Sequence, residues 1–296
     1  NYGIHLGSSI LLTDTHIIVG NSVNHNETST PVNGYGKTPQ IMIWSLDDLS
    51  SPPTTISHPL GSTAKRFGTI EGTLMVMGDK LFLQGANDNG TNIYVYDLTD
   101  LSVNPIEITP NLSGWHIGSF GTSFDIDPVS KKLYVGCWSS KVDGATYRTL
   151  DYNSGIVLVY DVSDLSSNIN THTATILNTD TDRDWNDKFG SCVRYHNGKL
   201  FIGHLAEGNR KEDLYVYDTS DLSFIQKFSA ENIGQYGWGG KFAAWPRSVY
   251  VSDKGVVLGA PTSSPNEDDY STGEVFVIPM DSSGNLGTLT KLSNSG

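Results

Sequence analysis

Short hydrophobic runs separated by turn residues fill this chain, and they come in sets. The set from Lys188 to Ala230 is the clearest. Phe189-Gly190 opens a strand, and the turn His196-Asn197-Gly198-Lys199 leads to Leu200-Phe201-Ile202-Gly203. A polar loop then leads to Leu214-Tyr215-Val216-Tyr217-Asp218, and a Ser-Asp-Leu-Ser turn leads to Ile225-Gln226-Lys227-Phe228. β-Branched and aromatic residues bounded by Gly, Asn, Asp and Ser predict four strands joined by turns.

The same set recurs along the chain. Its opening position falls at residues 7, 68, 121, 190 and 243, with spacings of 61, 53, 69 and 53. The second strand recurs as Ile17-Ile18-Val19-Gly20, Leu81-Phe82-Leu83-Gln84-Gly85, Leu133-Tyr134-Val135-Gly136 and Val256-Val257-Leu258-Gly259. The third recurs as Ile93-Tyr94-Val95-Tyr96-Asp97 and its counterparts. Five in-phase sets predict an all-β fold: a five-bladed β-propeller with four antiparallel strands per blade. Residues 1–296 then form one domain, with blades of approximately 1–60, 61–114, 115–184, 185–237 and 238–296.

Composition agrees with that pattern. Charged residues make up 17% and there are 31 glycines, which suits short strands and tight turns better than long helices. A net charge of −13 sets the surface as a whole against nucleic-acid backbones and anionic membranes. No apolar run reaches membrane-spanning length, so no membrane insertion is expected. Cys137 and Cys192 read as two buried thiols or as one disulfide. Sequons at Asn26, Asn89 and Asn111 carry no weight in a chain this rich in Asn, Ser and Thr.

A second recurring element follows the third strand: Asp47-Asp48-Leu49-Ser50, Asp100-Leu101-Ser102, Asp164-Leu165-Ser166 and Asp221-Leu222-Ser223. Its Asp and Ser side chains should bond to nearby backbone and hold a turn, with Leu packed under the blade. These turns lie at one end of each blade. The loops joining strands two and three, and one blade to the next, lie at the other end and vary in length. Variable loops on a rigid scaffold are where binding is expected.

Next to each opening position the chain carries His5, Arg66, Ser119, Lys188 and Lys241, and a few residues earlier Tyr2, Trp115, Trp185 and Trp238. Propeller geometry places these around the channel mouth. Arg66, Trp115, Trp185, Lys188, Trp238 and Lys241 are therefore the candidate ligand-binding set, with stacking faces beside positive charge suited to a sugar or an acidic group. The alternative is that the Trp side chains wedge between blades and the cations pair with nearby Asp. One loop, with Asp180, Asp182, Asp184 and Asp187, has carboxylate spacing that suits calcium, though it lacks a turning Gly and Arg183 competes for it. No other cofactor is expected.

The Phe-Gly openings at residues 67, 120 and 189, the Gly closing the second strand and the literal Gly259-Ala260-Pro261 resemble the FG-GAP repeat of integrin α-subunit propellers. The resemblance spans essentially the whole chain through short motifs. It implies a propeller used for adhesion or ligand binding at the cell surface. Two departures stand out: integrin propellers have seven blades, and the calcium loops of that family are absent from the first turns here.

The reading is a non-enzymatic binding or adhesion module that recognises a glycan or protein ligand through the variable face, located extracellularly, at a cell surface or on a virion. The alternative is a structural or receptor-binding domain of a larger assembly, such as a virion or appendage protein. Its motive is a chain that starts at Asn1 and is phased to insert into a longer one. A five-bladed glycoside hydrolase is the third reading. It would need two carboxylates facing each other across a bond, and on the inner strands only Glu71 and Asp125 are acidic.

Overall fold

The computed structural model describes residues 4–23, 40–59, 66–68, 73–87, 90–145, 153–178, 187–204, 213–229, 249–260 and 274–292. Every element among them is a β-strand, and every sheet is antiparallel. No helix among the described residues is long and apolar enough to cross a membrane. Sheet one is β1 (Ile4–Leu12), β2 (His16–Val23), β3 (Gln40–Ser45) and β4 (Thr54–Ser57), in that order. Sheet two has five strands, because its opening segment is split. β5 (Arg66–Phe67) and β6 (Leu74–Met77) both pair with β7 (Lys80–Asn87), which pairs with β8 (Gly90–Asp97), followed by β9 (Ile106–Ile108).

The third repeat carries an addition that the pattern did not predict. β10 (Trp115–His116) pairs with β13 (Lys141–Val142) as a separate ribbon. Sheet three itself is β11 (Phe120–Asp127), β12 (Lys132–Cys137), β14 (Ile156–Asp161) and β15 (Ala174–Leu177). Sheet four is β16 (Cys192–His196), β17 (Lys199–His204), β18 (Asp213–Asp218) and β19 (Phe224–Ser229). Sheet five is β20 (Val249–Ser252), β21 (Gly255–Ala260), β22 (Glu274–Pro279) and β23 (Thr290–Leu292). Two compact units result. One gathers residues 1–111, 120–122 and 163–171, and the other 112–119, 123–162 and 172–296.

Within each unit, successive sheets pack face to face by one rule, set by strand register. Residues opposite each other in a ladder share a face. On the leading face of sheet one, Ile18, Ile41, Ile43 and Ile56 meet the trailing face of sheet two, Leu81, Leu83, Tyr94 and Tyr96. In the other unit the leading residues of sheet three are Tyr134, Val157, Val159 and Ile176. They meet Leu200, Ile202, Tyr215 and Tyr217 on the trailing face of sheet four. The leading residues of sheet four, Phe201, Leu214, Val216 and Phe228, meet Val256, Leu258, Phe276 and Ile278 of sheet five. In these three pairs an apolar face is buried by the next sheet, the main source of stability for such stacks.

The structure gives the Phe-Gly motif its physical meaning. Phe189 is fully buried and meets Tyr215 and Tyr217 edge-on, with centroids 5.5 and 6.4 Å away. Phe67 repeats this against Tyr94 and Tyr96, both at 6.2 Å. The glycine after each Phe takes a left-handed backbone, with φ of 54° at Gly68, 70° at Gly121 and 85° at Gly190.

The glycine ending the second strand serves the neighbouring sheet. A Cβ on Gly136 would overlap the carbonyl oxygen of Gly190, and one on Gly20 would overlap that of Gly68. In repeat two this position is Gln84, not the expected Gly85. Gly68 N–H donates to Gln84 O (2.7 Å) just as Gly190 N–H donates to Gly203 O (3.0 Å). The Gln84 side chain instead reaches Phe120 O at 3.4 Å.

The Asp-Leu-Ser turns form as expected. Ser50 N–H donates to Asp48 at 3.0 Å, and the amides of Ser102, Ser166 and Ser223 do the same to Asp100, Asp164 and Asp221. Leu101 and Leu222 pack against the core, but Leu49 is 57% exposed and does not. Cys137 and Cys192 are buried free thiols.

Candidate functional site

Register divides each sheet into two chemically different ends. In sheet four the β16–β17 turn and the β18–β19 turn share one end, since His196 pairs with Lys199 and Lys199 with Asp218. Polar groups there satisfy one another. Asp218 accepts from the Ser220 amide (2.8 Å), and Asp253 accepts from Asn197 Nδ2 (2.7 Å) and lies 2.9 Å from His196 Nε2. Hydrogen bonds from the Ser50 and Ser51 hydroxyls hold Asp48 down at about 2 in the equivalent turn of sheet one.

The opposite end of sheet four gathers ionisable side chains below the surface. His204 ends β17, Asp213 begins β18, and the two are ladder partners. His204 Nε2 lies 3.2 Å from Asp187 Oδ1, and its Nδ1 lies 3.9 Å from Asp213 Oδ2. Neither ring nitrogen is aligned for a hydrogen bond, so these are ion-pair distances only. Tyr215 OH donates to Asp213 Oδ2 (3.3 Å), and Lys227 Nζ lies 3.6 Å from that oxygen and 5.9 Å above the Tyr215 ring. Asp187, His204 and Asp213 are all buried.

Lys188 stands beside this group. It is only 8% exposed, takes a left-handed backbone (φ 52°) and sets its Nζ 5.1 Å over the Trp138 ring, a cation–π contact. Its N–H donates to Asn153 O (3.0 Å). Ser119, the residue in the same place before Phe120, has φ 55°. Left-handed non-glycine residues are strained and need surrounding structure to hold them. The positions before Phe120 and Phe189 are therefore built by the fold, although one carries Ser and the other Lys.

The remaining expected residues divide as follows. Trp115 lies half-buried on β10, opposite Val142. Arg66 lies on β5, paired with Ala86 through the backbone. Trp185, Trp238, Lys241, Asp180, Asp182 and Asp184 fall outside the described residues. Asp187, the last of the expected calcium set, lies against His204, and no group of three metal-ligating side chains is found among the described residues. Sequence reasoning did not single out Trp138, His204, Asp213 or Lys227. The available signal was an ionisable residue at each of two facing strand ends, His204 and Asp213, beside otherwise apolar runs.

Asp125, the acidic inner-strand residue weighed for hydrolysis, has another role. Its Oδ2 accepts from Tyr195 N–H and its Oδ1 from Ile126 N–H, at 2.8 and 2.7 Å. Ser123 Oγ likewise accepts from Val193 N–H at 2.8 Å. Side chains of β11 thus satisfy backbone donors of β16. Burial pushes Asp125 up to about 6, against the pull of those amides and of Arg194. A carboxyl raised on folding contributes stability below its unfolded value, and loses it as pH rises through about 6. Over a gap of about two pH units this is worth about 3 kcal/mol. Asp48 acts in the opposite sense, and only below pH 4. Burial pulls His58 down to about 4, so its contribution to stability rises with pH across the same window and offsets that of Asp125. Asp125→Asn is therefore expected to make denaturant stability rise more steeply from pH 4.5 to pH 7 than in the parent; an unchanged slope in the variant would remove Asp125 as a contributor.

No protein-family model matches the chain, and no curated protein matches it. Solved structures do. Hydrazine synthase of Kuenenia stuttgartiensis aligns over 95% of this chain and 63% of its own, at 12% identity and a TM-score of 0.55. The acylaminoacyl peptidase of Pyrococcus horikoshii aligns over 98% of this chain and 39% of its own, at 11% identity and a TM-score of 0.51. The β-propeller domain of the Trilobed protease from Pyrococcus furiosus, described as having an open velcro topology, aligns over 98% and 71%, at 11% identity and a TM-score of 0.50. The chain thus spans less than two thirds of the first two. Likeness at such identities bears on fold alone: this is an all-β chain of antiparallel sheets whose structural neighbours include a β-propeller and carry unrelated activities.

Proposed function

We propose that the five sheets are five propeller blades, and that the chain is a non-enzymatic binding module for a glycan or protein ligand at a cell or particle surface. The ligand would be taken at the end of the blades that carries the loops between second and third strands. The observation that supports this is the contrast between ends. The Asp-Leu-Ser turns have their carboxylates bonded to their own backbone, whereas the other end concentrates Asp187, His204 and Asp213 with Lys188 against Trp138. Buried polar groups at a rim hold the residues around them in place. Binding is favoured over acid–base catalysis because both oxygens of Asp125 are taken by backbone amides. The Phe-Gly repeats, which resemble those of integrin propellers, support the same use.

Lys188 and Lys241, with Arg66, Trp115, Trp185 and Trp238, form the proposed ligand face. A glycan array with the isolated chain tests it. Binding should weaken and lose salt dependence in the double variant Lys188→Ala/Lys241→Ala. Trp185→Ala should cost about 1 kcal/mol through lost stacking. Array signals equal to the parent's in both variants would remove this face from consideration.

A further inference from the structure

The outer edge of sheet two is occupied by the chain itself. β9 is the last strand there, and β8 pairs with one side of it, Ile93 opposite Ile108 and Tyr94 opposite Glu107. The backbone groups of Glu107 and the amide of Thr109 point the other way, and all go to one segment. Ile169 N–H donates to Glu107 O (2.8 Å), Thr109 N–H donates to Ile169 O (2.9 Å), and Glu107 N–H donates to Asn168 Oδ1 (2.9 Å). Ile108 and Ile169 thereby form a parallel bridge. Among the described residues, no segment extends the outer strands of the other sheets, β4, β15, β19 and β23, in this way.

In sequence this segment is an addition to a shared turn. After the Asp-Leu-Ser turn, sheet one has only Ser51-Pro52-Pro53 before its fourth strand, sheet two has Val103-Asn104-Pro105, and sheet four goes straight into β19. The third repeat instead continues Ser167-Asn168-Ile169-Asn170-Thr171, and residues 163–171 fall in the same compact unit as β9. Of these residues only Leu165 and Ile169 are half-buried, and the rest are exposed. A strap with so few buried apolar groups and exposed hydrogen bonds opens locally at low cost.

A loop that only shields a sheet edge needs no particular backbone geometry. This one follows the ladder pattern of an added strand. Main-chain bonds lie on both sides of Ile169, the preceding side-chain amide takes the next donor, and an aliphatic side chain is half-buried. The strap thus displays what the edge accepts. We propose that the β9 edge is a strand-addition site for an extended peptide carrying Asn or Gln followed by an aliphatic residue. Asn168-Ile169 is its resident occupant, which such a peptide from a partner protein replaces when the strap lifts. The site does not rest on the ligand face proposed above, so either can hold without the other.

An NMR titration of the whole chain with a peptide copying residues 166–171 tests this. Ile169→Pro removes the N–H that donates to Glu107 O, and Asn168→Ala removes only the side-chain acceptor of Glu107 N–H. The peptide should bind Ile169→Pro at least about tenfold more tightly than the parent, where the tethered strap competes. A copy with Pro in place of the Ile should bind neither. Amide exchange at Glu107 and Thr109 should speed in Ile169→Pro and slow again when the peptide is added. Asn168→Ala, at an exposed position, keeps the test alive if Ile169→Pro does not fold: exchange at Glu107 should speed there, and the peptide should slow it. A peptide that binds no variant more tightly than the parent, or that binds without slowing exchange at Glu107, would overturn the strand-addition site. Exchange at Glu107 unchanged in the folded variants would overturn the strap as its occupant.

Discussion

Phe189→Ala is expected to destabilise the protein by about 3–5 kcal/mol, the usual cost of emptying a fully buried aromatic site. The ring has no exposed surface and is held between Tyr215 and Tyr217 of its own sheet. Its neighbours cannot collapse into the space, because both tyrosines belong to β18, which is paired on both sides. Phe67 occupies the same place against Tyr94 and Tyr96, so Phe67→Ala should cost a similar amount. Val129, 86% exposed in the β11–β12 turn, is the control, and Val129→Ala should change little. Urea unfolding midpoints check all three. A Phe189→Ala cost near that of Val129→Ala would mean that the Phe-Gly motif is not a structural wedge and was kept for another reason.

Gly136→Ala is expected to cost about 3 kcal/mol or more, from overpacking rather than from backbone conformation. A methyl group there would overlap the Gly190 carbonyl of the neighbouring sheet and crowd Ser123 O, both of them backbone atoms that cannot rotate away. Gly144 separates the two effects. It has φ 83° but open space around its Cα, so Gly144→Ala should cost only the left-handed penalty of about 1–2 kcal/mol. If Gly144→Ala proved the more damaging by thermal melt and urea titration, the close approach of sheets three and four at Gly136 would be wrong.

The strands and their grouping were legible because a half-buried strand writes its burial into alternate residues and its ends into Gly, Asn, Asp and Ser. Ile17-Ile18-Val19-Gly20 and Leu200-Phe201-Ile202-Gly203 become second strands with matching partners. The turn at Asn197-Gly198 forms with both residues left-handed, and the Asp-Leu-Ser boxes close on their own backbone. These are local signals, carried by a few consecutive residues. Gln84 shows their limit: the recurring glycine favours Gly85 as the counterpart of Gly136, and the ladder register with the hydrogen bond from Gly68 assigns that place to Gln84. The ribbon of β10 and β13 was equally invisible, since two-residue strands carry no periodicity.

The sequence by itself determined the all-β class, the five-fold repetition, the turn chemistry and which residues could be buried. It could do so because those depend on neighbours within a few positions. Tertiary structure alone decided what each buried residue meets. Lys188 was legible as a cation beside a Phe-Gly, but its contact is Trp138, 50 residues earlier in the chain. Asp125 was legible as an inner-strand acid, but the amide of Tyr195 makes it a backbone acceptor. His204 and Asp213 face each other only because register aligns two strand ends, and Asp187 joins them only because the chain returns there. Phe201 alternates in sequence like any half-buried strand residue, but only packing shows that Val256, Leu258, Phe276 and Ile278 of sheet five bury it. Alternation specifies that a face is apolar, whereas what covers that face is a property of another part of the chain, or of another molecule.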